Sequence, residues 1–508
     1  MKAVTTIPRP RVTLAGNELA RKDLDALREL RVQGALSAPT LCELTFVRQE
    51  ISVDGGLTPA IGASLRVELD GREECLFDGE VTALEYGYES DGICRLRIRG
   101  YDLLHRLRKR QPVRVHVEVT VADLARELAL DLGLDVVADE PGPLWRRLIQ
   151  HRQSDLDFLA DIAARAGLYL AVRGETLHLM SLAGIGEAVP LALGDTLLEA
   201  RIEVNADASC ASVTTSAWDA LRGERHQGRV TLARNGRKVE AEAPAVLVGG
   251  SGERHLADHS LRNDGLAEAL AQAELDCRAM SEVIIRGVAE GNPALMPGTR
   301  IEIRGVDGIV AGTYVLTAVV HRVDARGGFV SEFSSAPPPP PQGDGPAGLV
   351  GTLGIVSSLA DPDGLGRVQV TLPAFADAQS DWMGVVAAGA GAGKGLVALP
   401  EVGDQVLVLA QSRDITQGVV LGGLHGLRPP PDWGLDGGAV RRFGLFTPGG
   451  QILRLDDAGG SILLQDKSGS YLRIAPGKVE LHAATDLEID APGRAVLIRA
   501  NTIDFERA

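Results

Sequence analysis

The chain has 508 residues, 45% hydrophobic and 24% charged, enough for roughly three or four domains with cores of their own. Its formal net charge of −16, which becomes 3 × −16 = −48 in a trimer, argues against nucleic acid or anionic lipid as a partner. The opening MKAVTTIPRPRVTL lacks the apolar run of a signal peptide, and no stretch approaches the ~20 apolar residues of a membrane span, which predicts a soluble protein made in the cytoplasm.

In chain order, Leu65 to Leu69 and Cys94 to Arg99 alternate as half-buried strands. Thr120 caps a predicted helix in which Leu124, Leu128 and Leu132 share a face before Gly133 ends it. Ser154, with Asp157 three residues on, starts a second helix that stops at Gly167, and a third covers Leu266 to Met280. The five cysteines (Cys42, Cys75, Cys94, Cys210, Cys277) have no C-x-x-C spacing and read as small buried hydrophobes rather than as a disulfide framework or a zinc site. The proline run Ala336 to Gln342, continuing to Gly348, reads as a semi-rigid linker. Beyond it the helix signals stop, and short strands with glycine-rich turns predict a small barrel. A second Pro/Gly break spans Arg428 to Gly438.

The tail alternates with a longer repeat. Val479, Leu481 and Ala483, then Leu487, Ile489 and Ala491, then Val496, Ile498 and Ala500, then Ile503 and Phe505 begin 8, 9 and 7 residues apart, with turn formers between them. Each strand brings only two large apolar side chains, so one copy leaves an apolar stripe in water. Buried together, such side chains are worth roughly 1.5–3 kcal/mol each. The pattern therefore predicts an intertwined multi-chain β-helix, with Val479, Leu481, Leu487, Ile489, Val496, Ile498, Ile503 and Phe505 in its core.

Between Val350 and His425, Gly366-Arg367-Val368, Trp382, Ala390 to Gly395, Pro400 to Val408 with Gly403 and Asp404, and Gly418 to His425 with Gly422 resemble the OB-fold module of VgrG spike proteins, in the family's order. Upstream, Leu36 to Phe46, Tyr101 to Arg106, Gln153 to Leu159, Ala166 to Tyr169, Leu295 to Thr299, Gly312 to Tyr314 and His321 are similar to the hub of that family and of phage baseplate hub proteins. Leu464 to Gly469 and Leu487 to Gly493 resemble its spike.

The resemblance implies a mainly β fold with an α+β hub. Residues 1–335 would hold two tube-like barrels (about 1–115 and 170–335) joined by an α/β part (116–169); then come a linker (336–348), an OB fold (349–426), a linker (427–440) and a trimeric β-helix (441–508). It implies a homotrimer whose six barrels meet a hexameric inner-tube ring, with baseplate components around it and effectors as possible cargo. A PAAR-type tip protein would sit on Ile503, Asp504, Phe505, Glu506, Arg507 and Ala508. The phage spike's lysozyme insertion has no room here, since only about 15–20 residues separate OB fold and needle. A minimal spike of this kind suits an extracellular injection particle or phage-tail-like device. The rivals are a type VI secretion VgrG, an enzyme-bearing phage spike, and a free-standing OB-fold protein for glycan or nucleic acid.

Catalytic signals are weak. Ser251 lies in no G-x-S-x-G elbow, and Gly389 to Gly395 lacks the order of a phosphate loop. His255 and His259 have metal spacing without the protease glutamate, and read as a surface loop. In the OB region the aromatics are Phe375 and Trp382, and three Lys/Arg face seven Asp/Glu, a poor platform for nucleic acid. His482 is the only histidine of the final eighty residues. The expectation is a protein with no enzymatic activity, cofactor or metal.

Overall fold

The computed structural model describes residues 9–48, 59–72, 74–219, 224–257, 261, 263–325, 327–339, 348–411, 414–426 and 428–506, which form two compact units divided after Gly422. In the first unit, β1 (Pro10–Leu14), β2 (Asn17–Glu18) and α1 (Arg21–Leu24) lead into β3 (Leu27–Ala35), β4 (Ala38–Arg48), β5 (Ser64–Leu69), β6 (Phe77–Tyr88) and β7 (Cys94–Tyr101). Alternation along these strands sends Val12, Leu30, Leu44, Leu65, Val67 and Ile98 into one core, the first barrel. A Cβ at Gly79 would lie 2.2 Å from the Tyr101 carbonyl oxygen, so the crossing of β6 over β7 requires glycine.

An α/β segment follows: β8 (Arg114–Val119), α2 (Val121–Ala129), β9 (Asp135–Ala138), β10 (Trp145–Gln150), α3 (Asp155–Arg165), β11 (Tyr169–Arg173) and β12 (Thr176–Met180). Both predicted caps form. Thr120 Oγ1 accepts from the Asp123 amide at 3.2 Å and Asp123 returns the bond, while Ser154 Oγ accepts from the Asp157 amide at 3.2 Å. Gly133 (φ +69°) and Gly167 (φ +71°) take left-handed conformations where these helices end.

The second barrel contains β13 (Ile185–Ala192), β14 (Leu197–Val204), then, after an inserted sheet of β15 (Ser212–Asp219), β16 (Glu224–Val230) and β17 (Glu253–Ala257) packed on α4 (Asp264–Glu282), β18 (Val283–Glu290), β19 (Thr299–Arg304), β20 (Gly312–Val315), β21 (Ala318–Asp324) and β22 (Gly328–Ser334). Ile285, Ile301, Ile303, Tyr314 and Leu316 fill its core. One eleven-stranded sheet, ordered β14-β18-β22-β21-β3-β4-β7-β6-β5-β1-β2, runs through both barrels. The joint between them is the antiparallel pair β21–β3, with His321 opposite Val32.

The rest of the unit is β23 (Leu349–Ser358), β24 (Gln369–Leu372), β25 (Ala378–Gln379), β26 (Gly384–Val385), β27 (Gln405–Gln411) and β28 (Asp414–Leu424), in one sheet ordered β25-β24-β23-β27-β28-β26. Val368 and Met383 exchange backbone hydrogen bonds of 2.9 and 2.8 Å, which ties the two ends of that sheet into a closed barrel. Its core of Val356, Val370, Leu372, Val406, Val408 and Val420 also takes in Ile149 from β10, with Val115 of β8 against it.

The second unit holds the short pair β29 (Leu435–Asp436) and β30 (Ala439–Val440), then an antiparallel meander of β31 (Arg442–Phe446), β32 (Ile452–Asp456), β33 (Ser461–Gln465), β34 (Tyr471–Ala475) and β35 (Lys478–His482). Gly450, Gly460, Gly469 and Gly477 stand in its four turns at positive φ, which their lack of a Cβ permits. Between His482 and Glu506 no residue belongs to a paired strand. The alternation in the sequence predicts strands there; in one copy the described residues make no ladder, and their backbone bonds include only local ones such as Arg494 N–H to the Ala491 carbonyl at 3.0 Å and Ala484 N–H to Ser470 Oγ at 3.1 Å.

Candidate assembly surfaces

The meander is amphipathic in the wrong sense for a lone chain. Directly opposed residues of antiparallel strands lie on the same face. One ladder runs Phe443–Leu455–Ile462–Ile474–Val479, and the next runs Leu445–Leu453–Leu464–Leu472–Leu481. These ten side chains form a two-by-five apolar grid, and all are 37–66% exposed. The opposite face is mixed: one ladder runs Arg454–Leu463–Arg473–Glu480 and the next Phe446–Ile452–Gln465–Tyr471. Along β32 and β33 the grid residues Leu453, Leu455, Ile462 and Leu464 are more exposed than the residues between them, which include Ile452 and Leu463 as well as Arg454 and Gln465.

Of the eight predicted needle-core residues, Val479 and Leu481 lie in this grid, on a strand paired within its own chain. Leu487, Ile489, Val496, Ile498, Ile503 and Phe505 follow it, each at least half exposed. Sequence reasoning missed the eight grid residues from Phe443 to Ile474, although they alternate with the same period. Among the predicted tip-seat residues, Ile503, Asp504, Phe505 and Glu506 are exposed, whereas Arg507 and Ala508 lie outside the described residues.

The OB-fold motif residues build turns and core rather than a cleft. Arg367 is buried, its Nε 3.0 Å from Asp361 Oδ2 and its Nη2 2.5 Å from Asp361 Oδ1 and 2.7 Å from Asp363 Oδ2. Asp361 also accepts the amides of Asp363, Leu365 and Arg367. The guanidinium holds the Asp361 carboxyl far below the usual carboxylate range. Gly366 (φ +70°) gives the turn its left-handed step, and Val368 is fully buried. Gly403 (φ +91°) donates its amide to Val356, and Asp404 accepts the Glu401 amide at 2.8 Å. Trp382 and Pro400 are half-buried, and Gly422 lies near the end of β28. Asp361 and Asp363, six and four residues before Arg367, are the partners the sequence reading did not assign.

In the hub, Glu80 accepts from Arg106 at 2.6 and 3.0 Å and meets His105 at 2.5 Å. Arg106 first, with His105, holds its carboxyl down at about 2. His321 is enclosed between Ser331 Oγ (2.9 Å) and the Leu295 carbonyl (3.0 Å), and burial pushes its pKa down to about 4.

Chemistry-bearing side chains do not converge. Among the described residues no three His, Cys, Asp or Glu are placed to share a metal, and the five cysteines are free. His255 lies on β17, a strand where a surface loop is expected, and His259 falls outside the described residues. Gly389 to Gly395 forms a tight turn closed by a Gly391–Lys394 bridge, with no helix after it. No helix among the described residues is long and apolar enough to cross a membrane.

Residues 352–425 match the family described as the type VI secretion system/phage-baseplate injector OB domain. That stretch is therefore an OB domain of the kind found in type VI secretion and phage-baseplate injectors. Residues 47–325, more than half of the chain, match the family described as the Alg8 N-terminal domain. The VgrG-like architecture recurs in solved structures. A chain of the Francisella PdpA–VgrG complex has a TM-score of 0.57 at 10% identity, over 94% of this chain and 88% of that one. The Escherichia coli c3393 protein, described as a type VI secretion component similar to the T4 tail proteins gp27 and gp5, gives 0.50 at 13%, over 78% and 96%. The 43 kDa tail protein of prophage MuSo2 from Shewanella oneidensis gives 0.50 at 13%, over 64% and 97%. No curated protein sequence matches the chain.

Proposed function

We propose that three copies assemble into the hub and needle of a contractile injection machine, which caps the inner tube and is driven through a target envelope when the sheath contracts. The observation that carries this reading is the apolar grid of the meander: ten side chains in two unbroken ladders, open to water in one copy. Three such faces turned inward give each other a core. Leu487, Ile489, Val496, Ile498, Ile503 and Phe505 then continue the needle as strands wound among three chains, which supply the hydrogen-bond partners one copy lacks.

The end at Ile503 to Glu506 seats a PAAR-type tip protein, and the hub barrels meet a hexameric tube ring. Effectors travel on the tip or in the tube, and the task of this chain is mechanical rather than catalytic. Light-scattering mass measurement of the purified chain tests the assembly. A mass near three times 53.6 kDa at micromolar concentration is expected, and a stable monomer overturns the reading.

A further inference from the structure

Two rows of polar and charged side chains cross the solvent face of the sheet beside the joint between the barrels. Opposed pairs set Asp324, Glu29, Thr45 and Arg97 side by side across β21, β3, β4 and β7, with Arg322, Arg31, Glu43 and Arg99 in the next row. The residues between them, Val323, Leu30, Leu44 and Ile98, turn the other way into the core of the first barrel. At one end of these rows the face is hollowed into a recess of about 580 Å³, lined by Arg28, Arg95, Arg97 and Arg322 together with Glu29 and Asp324. Ligand pockets commonly enclose roughly 300–1,000 Å³.

Four arginines against two carboxylates give this lining a net charge of +2, in a chain whose sum is −16. Arg28 reaches the recess through a bulge. The register of β3 against β4 slips between Leu27 and Glu29, so Arg28 and Glu29 both line the same hollow, where neighbours in a regular strand would point to opposite faces. Arg28 is exposed and has no ion pair among the described residues.

The other arginines hold their partners loosely. Arg95 meets Glu89 at 3.1 Å and Arg97 meets Glu85 at 3.4 Å, with all four side chains about half exposed, and such pairs contribute little and give way to a better acceptor. Arg322 is shared between Glu332 at 3.2 Å and Glu29 at 3.7 Å. Its Nε is covered from water and has no hydrogen-bond acceptor among the described residues, and the same holds for Nε of Arg31, opposite it, and of Arg99. On this face of the four strands six guanidiniums therefore share three carboxylates, Asp324, Glu29 and Glu43, while Glu85, Glu89 and Glu332 reach in from beside them.

We propose that this recess takes an extended acidic peptide of another protein, with Asp or Glu at alternate positions. Side chains two apart on an extended strand stand about 6.8 Å from each other. Arg95 and Arg97 on β7 have that spacing, so alternate carboxylates of a segment laid along β7 meet successive guanidiniums in charge-assisted hydrogen bonds. Arg28 and Arg322, on β3 and β21, meet the same segment from the other side of the recess. Glu29 and Asp324 repel a dense polyanion such as a polyphosphate, and they offer acceptors to the N–H groups of a peptide. Every lining residue comes from one chain, so the docking goes beyond the assembly proposed above and does not depend on it.

The test is fluorescence anisotropy of a dye-labelled octapeptide of alternating glutamate and serine, titrated with the full-length chain at about 0.15 M salt. Saturable binding with a Kd below about 1 mM is expected. Arg28→Glu should weaken it at least about tenfold, and Arg286→Glu on β18, outside the recess, should leave it unchanged. Arg28 has no ion pair to lose, so its variant keeps the fold; Arg97→Gln, with its melting temperature checked beside the parent, is the second recess variant and should weaken binding in the same sense. Unlabelled peptide should displace the probe at lower concentration than inorganic pyrophosphate does. Absence of saturable binding, binding that both recess variants leave intact, an equal loss in Arg286→Glu, or pyrophosphate competing as well as the peptide each overturns the assignment. The solution mass of the same samples reports on the trimer separately, and neither a monomeric nor a trimeric mass changes how the titration is read.

Discussion

Leu464 stands at the centre of the meander's apolar ladder, between Leu453 and Leu472, and is 55% exposed in one copy. Covering the exposed half of such a side chain is worth roughly 1 kcal/mol, so ten positions supply about 10 kcal/mol per chain and about 30 per trimer. Leu464→Asp removes that gain and places three carboxylates in the covered interior, where each unpaired charge costs several kcal/mol more. The variant is therefore expected to lose on the order of 10 kcal/mol of needle stability. On the opposite face Gln465→Asp changes the same strand by one residue and is expected to cost under about 0.5 kcal/mol. The assay is urea dissociation of the full-length trimer followed by light scattering, with tryptic cleavage at Arg454, Lys467, Arg473 and Lys478 as a local readout. Rapid cleavage and early dissociation of Leu464→Asp alone are expected. Equal resistance of the two variants would refute the claim that this face is covered.

Arg367→Ala removes the fork that Asp361 and Asp363 accept and is expected to destabilise the OB barrel by about 2–3 kcal/mol, measured as a lower melting temperature of that region. His321 is held neutral, its pKa moved from 6.5 to about 4. The unfolded chain therefore takes up a proton that the folded one refuses, and hub stability falls as pH drops from about 6.5 to 4, by up to about 3 kcal/mol. Thermal melts across that window should show the decline, and His321→Asn should flatten it. Ile149→Ala is expected to cost about 2–4 kcal/mol in the OB barrel although Ile149 lies some two hundred residues before it, and a fragment starting at Leu349 should melt lower than the same region in the full chain, followed by calorimetry.

The sequence by itself determined what local chemistry controls. Thr120 and Ser154 start helices because their hydroxyls meet amide donors three residues on, and Gly133 and Gly167 stop them because they tolerate left-handed backbone. The order of OB-fold motifs marked the barrel, and alternation marked the tail as carrying apolar side chains that one copy leaves exposed. Tertiary structure alone decided what depends on partners distant in the chain. Pairing of β21 with β3 fuses the two barrels across nearly three hundred residues, and Ile149 of the linking segment completes the core of a barrel it does not belong to in sequence. Alternation shows that a strand has two unlike faces. It does not say which strand lies beside it, because register is set by side chains meeting in space. For the same reason the grid from Phe443 to Leu481 emerged only when five strands were laid side by side.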